Sequence, residues 1–121
     1  MYYTFEVLTG HRDAPIMKAA PVFMSVNFDL INENQVMEPN EKISFLIEYP
    51  LKHPLRLESE KSGGGWTRHE FVNLVQNAYE KVYELDEATG DYGIYVPEIA
   101  ELALRGATRI GNGEWKLDVV S

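Results

Sequence analysis

Tyr3, Phe5 and Val7 alternate with Thr4 and Glu6 at the start of the chain. A period of two puts alternate side chains on one face of an extended backbone, so the pattern predicts a half-buried strand over roughly 2–8. The same period is clearest over 22–30, where Val22, Met24, Val26, Phe28 and Leu30 alternate with Ser25, Asn27 and Asp29. It returns at Ile43, Phe45, Ile47 and Tyr49. Thr9-Gly10-His11-Arg12-Asp13-Ala14-Pro15 between the first two runs has turn composition. Pro50 and Pro54 lack the N–H that a central ladder requires, so the chain is expected to turn there before a shorter strand at Leu55-Arg56-Leu57-Glu58.

The period changes after Ser62-Gly63-Gly64-Gly65. Phe71, Leu74, Val75, Ala78, Tyr79, Val82 and Leu85 follow the three-and-four spacing of one face of a long helix. Its start is written into the local residues. Thr67 with Glu70 three positions on forms a capping box, and Trp66 and Phe71 occupy the two positions of a hydrophobic staple.

A second, short helix is expected between Pro97 and Gly106, with Ile99, Leu102 and Ala103 turned inward. Gly111-Asn112-Gly113 then predicts a hairpin between Thr108-Arg109-Ile110 and a strand carrying Trp115, Leu117 and Val119 on one face. Strands gathered before helices point to an α+β class: one domain over 1–121, a mainly antiparallel sheet of about five or six strands, and one long and one short helix on one face.

Composition narrows what such a chain can do. An apolar fraction of 45% over 121 residues supports a real core without staples. A net charge of −8, shared evenly between the two halves, opposes contact with nucleic-acid phosphates and anionic lipid, so neither nucleic acid nor membrane is expected as a partner. Without cysteine there is no disulfide, thiolate metal site or cysteine nucleophile. The N-terminal residues lack the pattern of a signal peptide, and a cytoplasmic protein is expected.

Candidate chemistry is sparse. The glycine run before the long helix has the placement of a phosphate-binding loop, but no Gly-Lys-Ser/Thr follows, and Glu70 sets a carboxylate where a phosphate would sit. His69-Glu70 begins a zinc-protease pattern that Asn73 breaks, and His11 and His53 stand in separate loops. No metal, cofactor or catalytic residue is therefore assigned.

Two features point to a partner instead. Glu80, Glu84 and Glu87, with Asp86, load the C-terminal turns of the long helix against its dipole, and Tyr92 and Tyr95 stand in the following connection. The expectation is a small acidic protein-interaction domain or accessory subunit without catalytic activity. Its partner would be a basic protein or a second copy, with Glu80, Glu84, Glu87, Tyr92 and Tyr95 as contact residues. The alternatives are a ligand-binding protein or enzyme that gathers His11, Arg12, Asp13, His53 or His69 in the folded state, and a component of a larger particle.

Overall fold

The computed structural model describes residues 1–11, 14–22, 29–94 and 98–121. Among the described residues ten strands accompany one α-helix, so the structure is mostly β. The strands are β1 (Tyr2–Thr4), β2 (Glu6–His11), β3 (Ala14–Pro21), β4 (Asp29–Leu30), β5 (Val36–Glu38), β6 (Lys42–Ile47), β7 (Leu55–Glu60), β8 (Trp66–Thr67), β9 (Ala103–Gly111) and β10 (Glu114–Val120). The helix α1 spans Arg68–Thr89.

The main sheet runs β4-β2-β3-β9-β10-β6-β7, with β1 as an additional strand on β9. β9 is its axis. On one side it pairs with β10; on the other it takes β1 along Gly106–Thr108 and β3 along Ala103–Leu104. The chain leaves β9 at Phe5, whose N–H donates to Arg105 O while its carbonyl accepts from Ala20 N. β3 enters the fork opened there and β2 is carried outward, which curls the sheet. β5 and β8 form a separate two-stranded antiparallel pair.

This overturns the expected antiparallel sheet of five or six strands with two helices. β10 lies parallel to β6, because the β9–β10 hairpin inserts between the N-terminal strands and the β6–β7 hairpin. The expected second helix is one 3₁₀ turn, Ile99–Glu101, followed directly by the nine-residue β9. Leu102 and Leu104 are both buried, the period of a strand, and Gly106 is an interior strand residue instead of a helix stop. Its missing side chain leaves room for the Tyr2 ring, against which a Cβ at this position would collide. Thr9–His11 and Ala14–Pro15 belong to the β2–β3 ladder, where turn composition had pointed to a loop. Most of the expected strand over 22–30 falls on residues 23–28, outside the described residues; Asp29–Leu30 is its paired end.

The long helix forms as its local signals require. Thr67 Oγ1 accepts from Glu70 N at 3.2 Å, Glu70 Oε1 accepts from Thr67 N at 3.0 Å, and Gly90 closes the other end in the left-handed region. Phe71, on its first turn, lies against Phe5, Phe45 and Trp115, with ring centroids 5.4, 6.2 and 5.2 Å away. Each ring comes from a different part of the sheet. Burying a side chain of that size contributes about 2–3 kcal/mol, so this contact fastens the first turn of the helix to the sheet.

Candidate interaction surface

Among the described residues β7 forms a free edge of the sheet. In β7 the side chains alternate: Leu55, Leu57 and Ser59 are half-buried, while Arg56, Glu58 and Glu60 are exposed. β7 pairs antiparallel with β6 from Ile47↔Leu55 to Lys42↔Glu60, and the ladder continues as Lys61 N donates to Glu41 O at 3.2 Å. That bond sets the parity of the whole strand, since the two groups of one residue in an antiparallel pair point to the same side. The odd residues of β7 therefore bond to β6, and the N–H and C=O of Arg56, Glu58 and Glu60 point away from it. Ser44 N, opposite Glu58, accordingly turns to Gly113 O on the β10 side. Among the described residues no strand pairs with this outer edge of β7.

The same strand forms one wall of an apolar groove. Leu55 and Leu57 from β7 and Phe45 from β6 face Leu74, Ala78 and Leu85 on one flank of α1, enclosing about 300 Å³. Leu85 is 41% exposed, unusual for a leucine belonging to the apolar side of a helix. The rim carries Glu58 and Lys81. α1 covers the sheet with Phe71, Val72, Val75, Tyr79 and Val82 and leaves this flank over the edge of β7. A larger depression of about 630 Å³ at residues 29–35 is more open and mostly polar, with Asp29, Asn32 and Glu33 among its lining residues.

No family model, curated protein or solved structure matches this chain.

The residues singled out from sequence fall elsewhere. Glu80 is half-buried and Glu84 and Glu87 are exposed, and their spacing places them on the flank of α1 opposite the groove. Tyr92 is partly buried and packs against the core; its N–H donates to Asp86 Oδ1 at 2.8 Å and its carbonyl accepts from Lys52 N at 2.9 Å. Tyr95 lies outside the described residues, as do Arg12, Asp13 and the surroundings of the His11 side chain. His53 and His69 are exposed at opposite ends of α1, His53 beside the Lys52–Tyr92 bond and His69 in the first turn. The Asn73 that interrupts the zinc pattern hydrogen-bonds to His69 Nε2 at 2.9 Å. Among the described residues no cluster of His, Asp and Glu is arranged to hold a metal, and no helix is long and apolar enough to cross a membrane.

The glycine loop is occupied by the protein's own carboxylates. Gly63 N–H donates to Glu41 Oε1 at 3.2 Å and Thr67 N–H to Glu70 Oε1, while Lys61 Nζ pairs with Glu70 Oε2. Gly63 and Thr67 thus already have anionic acceptors, and the N–H groups of Arg68 and His69 donate to the carbonyls of Gln35 and Glu33. Gly65 is held close to the backbone of Glu38 and Pro39, which explains the glycine there without a ligand.

One buried charge escaped the sequence reading. Glu38 is fully buried, yet Arg109 Nε and Nη2, Trp115 Nε1 and the backbone N–H of Asn40 all donate to its carboxylate. Burial pushes this carboxyl up, and the hydrogen bonds from Arg109, Asn40 and Trp115 outweigh burial and hold it below its ordinary value. With every oxygen accepting, the carboxylate is a structural anchor joining β5, β9 and β10.

Proposed function

We propose that the chain is a non-catalytic protein-interaction domain or accessory subunit that accepts an extended segment on the free edge of β7. The observation that carries this reading is the coincidence of backbone groups at Arg56, Glu58 and Glu60 that are unpaired among the described residues with the apolar groove between β7 and α1. Strand addition supplies affinity through main-chain hydrogen bonds, and pockets beside the edge select alternate side chains. The segment that fits has apolar residues at alternating positions, directed toward Leu57 and Leu74, and charges of both signs between them, opposite Arg56 and Glu58. Glu80, Glu84 and Glu87 are on the other flank, so a basic partner on that stripe would make a separate contact.

The reading is tested with a display library of extended peptides alternating apolar and charged residues, screened against the whole chain. Binders are expected to slow hydrogen exchange at the amides of Arg56, Glu58 and Glu60 and to be lost with Leu74→Asp, a substitution at a half-buried position. Binders that leave those amides unprotected, or a library without binders, overturn it.

A further inference from the structure

The outer face of β7 carries one positive and two negative side chains in a fixed order, Arg56, Glu58, Glu60, each belonging to a residue whose backbone groups are unpaired among the described residues. A strand docking there must satisfy the backbone and this charge order together. Resting on the strand-addition reading above, we infer that the strand it accepts is β7 of a second copy of this chain. The two strands run antiparallel about a two-fold axis at Leu57, so that Arg56 of each copy stands opposite Glu58 of the other.

Parity and charge select this register. Only registers that pair even-numbered residues with even-numbered residues bring the open N–H and C=O groups together. Centring the axis on Ser59 sets Glu58 against Glu60 of the second copy twice. An axis on Glu58 sets that residue against itself, and an axis on Arg56 does the same for the arginine. Only the axis at Leu57 gives two opposite-charge pairs and no like-charge pair, and directly opposed like charges are destabilising. Because each chain carries −8 and repels its copy at long range, association depends on such local complementarity.

The apolar side fits the same axis. Leu57 meets Leu57 of the second copy as the pair whose side chains come closest, and Leu55 meets Ser59. The axis runs perpendicular to the sheet, so both copies of α1 lie on one face with their Leu74–Ala78–Leu85 flanks turned toward each other across the two Leu57 residues. The half-exposed flank of α1 thereby gains a matching apolar surface. Pro54 ends the ladder on each side, because its nitrogen has no hydrogen to donate. A contact of one short strand and one groove is at the small end of specific interfaces, so the dimer is weak and concentration-dependent.

The test is sedimentation equilibrium of the whole chain over a wide concentration range, with charge swaps. Arg56→Glu alone and Glu58→Arg alone are each expected to raise the dimer dissociation constant at least about tenfold, and the double swap to return it to within about threefold. Glu58→Pro removes an N–H that β6 does not use and is expected to abolish the dimer; far-UV circular dichroism checks that each variant remains folded. A chain that stays monomeric while library peptides still protect Arg56, Glu58 and Glu60 overturns the second copy as partner and leaves the strand-addition reading standing. A dimer insensitive to the single swaps, or not restored by the double swap, overturns this register.

Discussion

Glu38 and Arg109, 71 residues apart in sequence, are joined side by side, with Arg109 Nε 3.0 Å from Oε1 and Nη2 3.1 Å from Oε2 of a fully buried carboxylate. Trp115, 1% exposed, donates its indole N–H to Oε1 at 3.0 Å. Removing the carboxylate leaves that donor buried without a partner. Glu38→Ala is therefore expected to destabilise the fold by about 3 kcal/mol in urea unfolding. Glu38→Gln keeps an acceptor for the indole and should cost less. Equal losses for the two variants would show that the carboxylate's charge is what holds these strands together.

Acid should weaken the protein through the same groups. Hydrogen bonds from Arg109, Asn40 and Trp115 overcome burial to hold Glu38 below its ordinary 4.5; those from Lys61 and Thr67 hold Glu70 below 4.5, and those from Arg105 and Tyr2 hold Asp118 below 3.8. A carboxyl depressed in the folded state binds its proton more readily in the unfolded one, so its contribution is complete above the unfolded value and is lost as pH falls through the folded value. Thermal unfolding measured from about pH 7 to about pH 3 should show a midpoint that falls below pH 4.5 and a shallower fall in Glu38→Gln. A midpoint unchanged across that interval would remove these carboxylates from the account.

At the alkaline end, burial with the negative potential of Tyr49, Glu101 and Asp86 pushes the Tyr83 phenol up to about 12, and burial also drives Tyr79 above its ordinary 10.0. Raised values mean that their stabilising contribution is whole below 10.0 and is lost as pH rises through the folded values. Both should ionise above pH 10.0 when tyrosinate absorbance is followed, and Tyr83→Phe should remove the step near 12. Early ionisation of both, in a chain still folded, would contradict their packing.

Gly65 has φ +71, and a Cβ there would meet the Glu38 carbonyl and lie 2.9 Å from Pro39 Cα. Gly65→Ala is expected to cost about 2 kcal/mol, from left-handed backbone strain and backbone collision together. Thr67→Ala, which removes only the helix cap, is expected to cost about 1 kcal/mol. Urea unfolding of both variants checks the order; a tolerated Gly65→Ala would mean that the loop moves freely away from β5.

The last turn of α1 carries no basic residue. Replacing Glu84 and Glu87 with lysine should raise the melting temperature by a few degrees, because positive charge there complements the helix dipole. These residues face away from the β7 groove, so the dimer constant should not change beyond relief of general repulsion. A strong loss of self-association in this variant would move the interface to the acidic stripe.

Much of the local structure could be read from residues close together in sequence. The capping box at Thr67 and Glu70, the apolar face from Phe71 to Val82, the hairpin at Gly111-Asn112-Gly113 and the alternation in β1, β6 and β7 all depend on contacts within a few residues, and periodicity records them. Ala103–Gly106 carries a helix pattern because Pro97 and Gly106 imitate helix ends, and only the Tyr2 ring lying across Gly106 gives that glycine another purpose. The free edge of β7 and the exposed flank holding Leu74, Ala78 and Leu85 were not legible either. A strand is an edge only by virtue of the order in which distant strands pair, and a helix flank is uncovered only where the sheet stops. The sequence by itself determined the cap and buried face of α1 and the extended runs of β1, β6, β7 and β10, since those preferences act through neighbouring backbone. The tertiary structure decided that β9 and β10 enter between β3 and β6, that Glu38 meets Arg109 and Trp115, and that β7 is left open, because each depends on long-range pairing that local pattern does not encode.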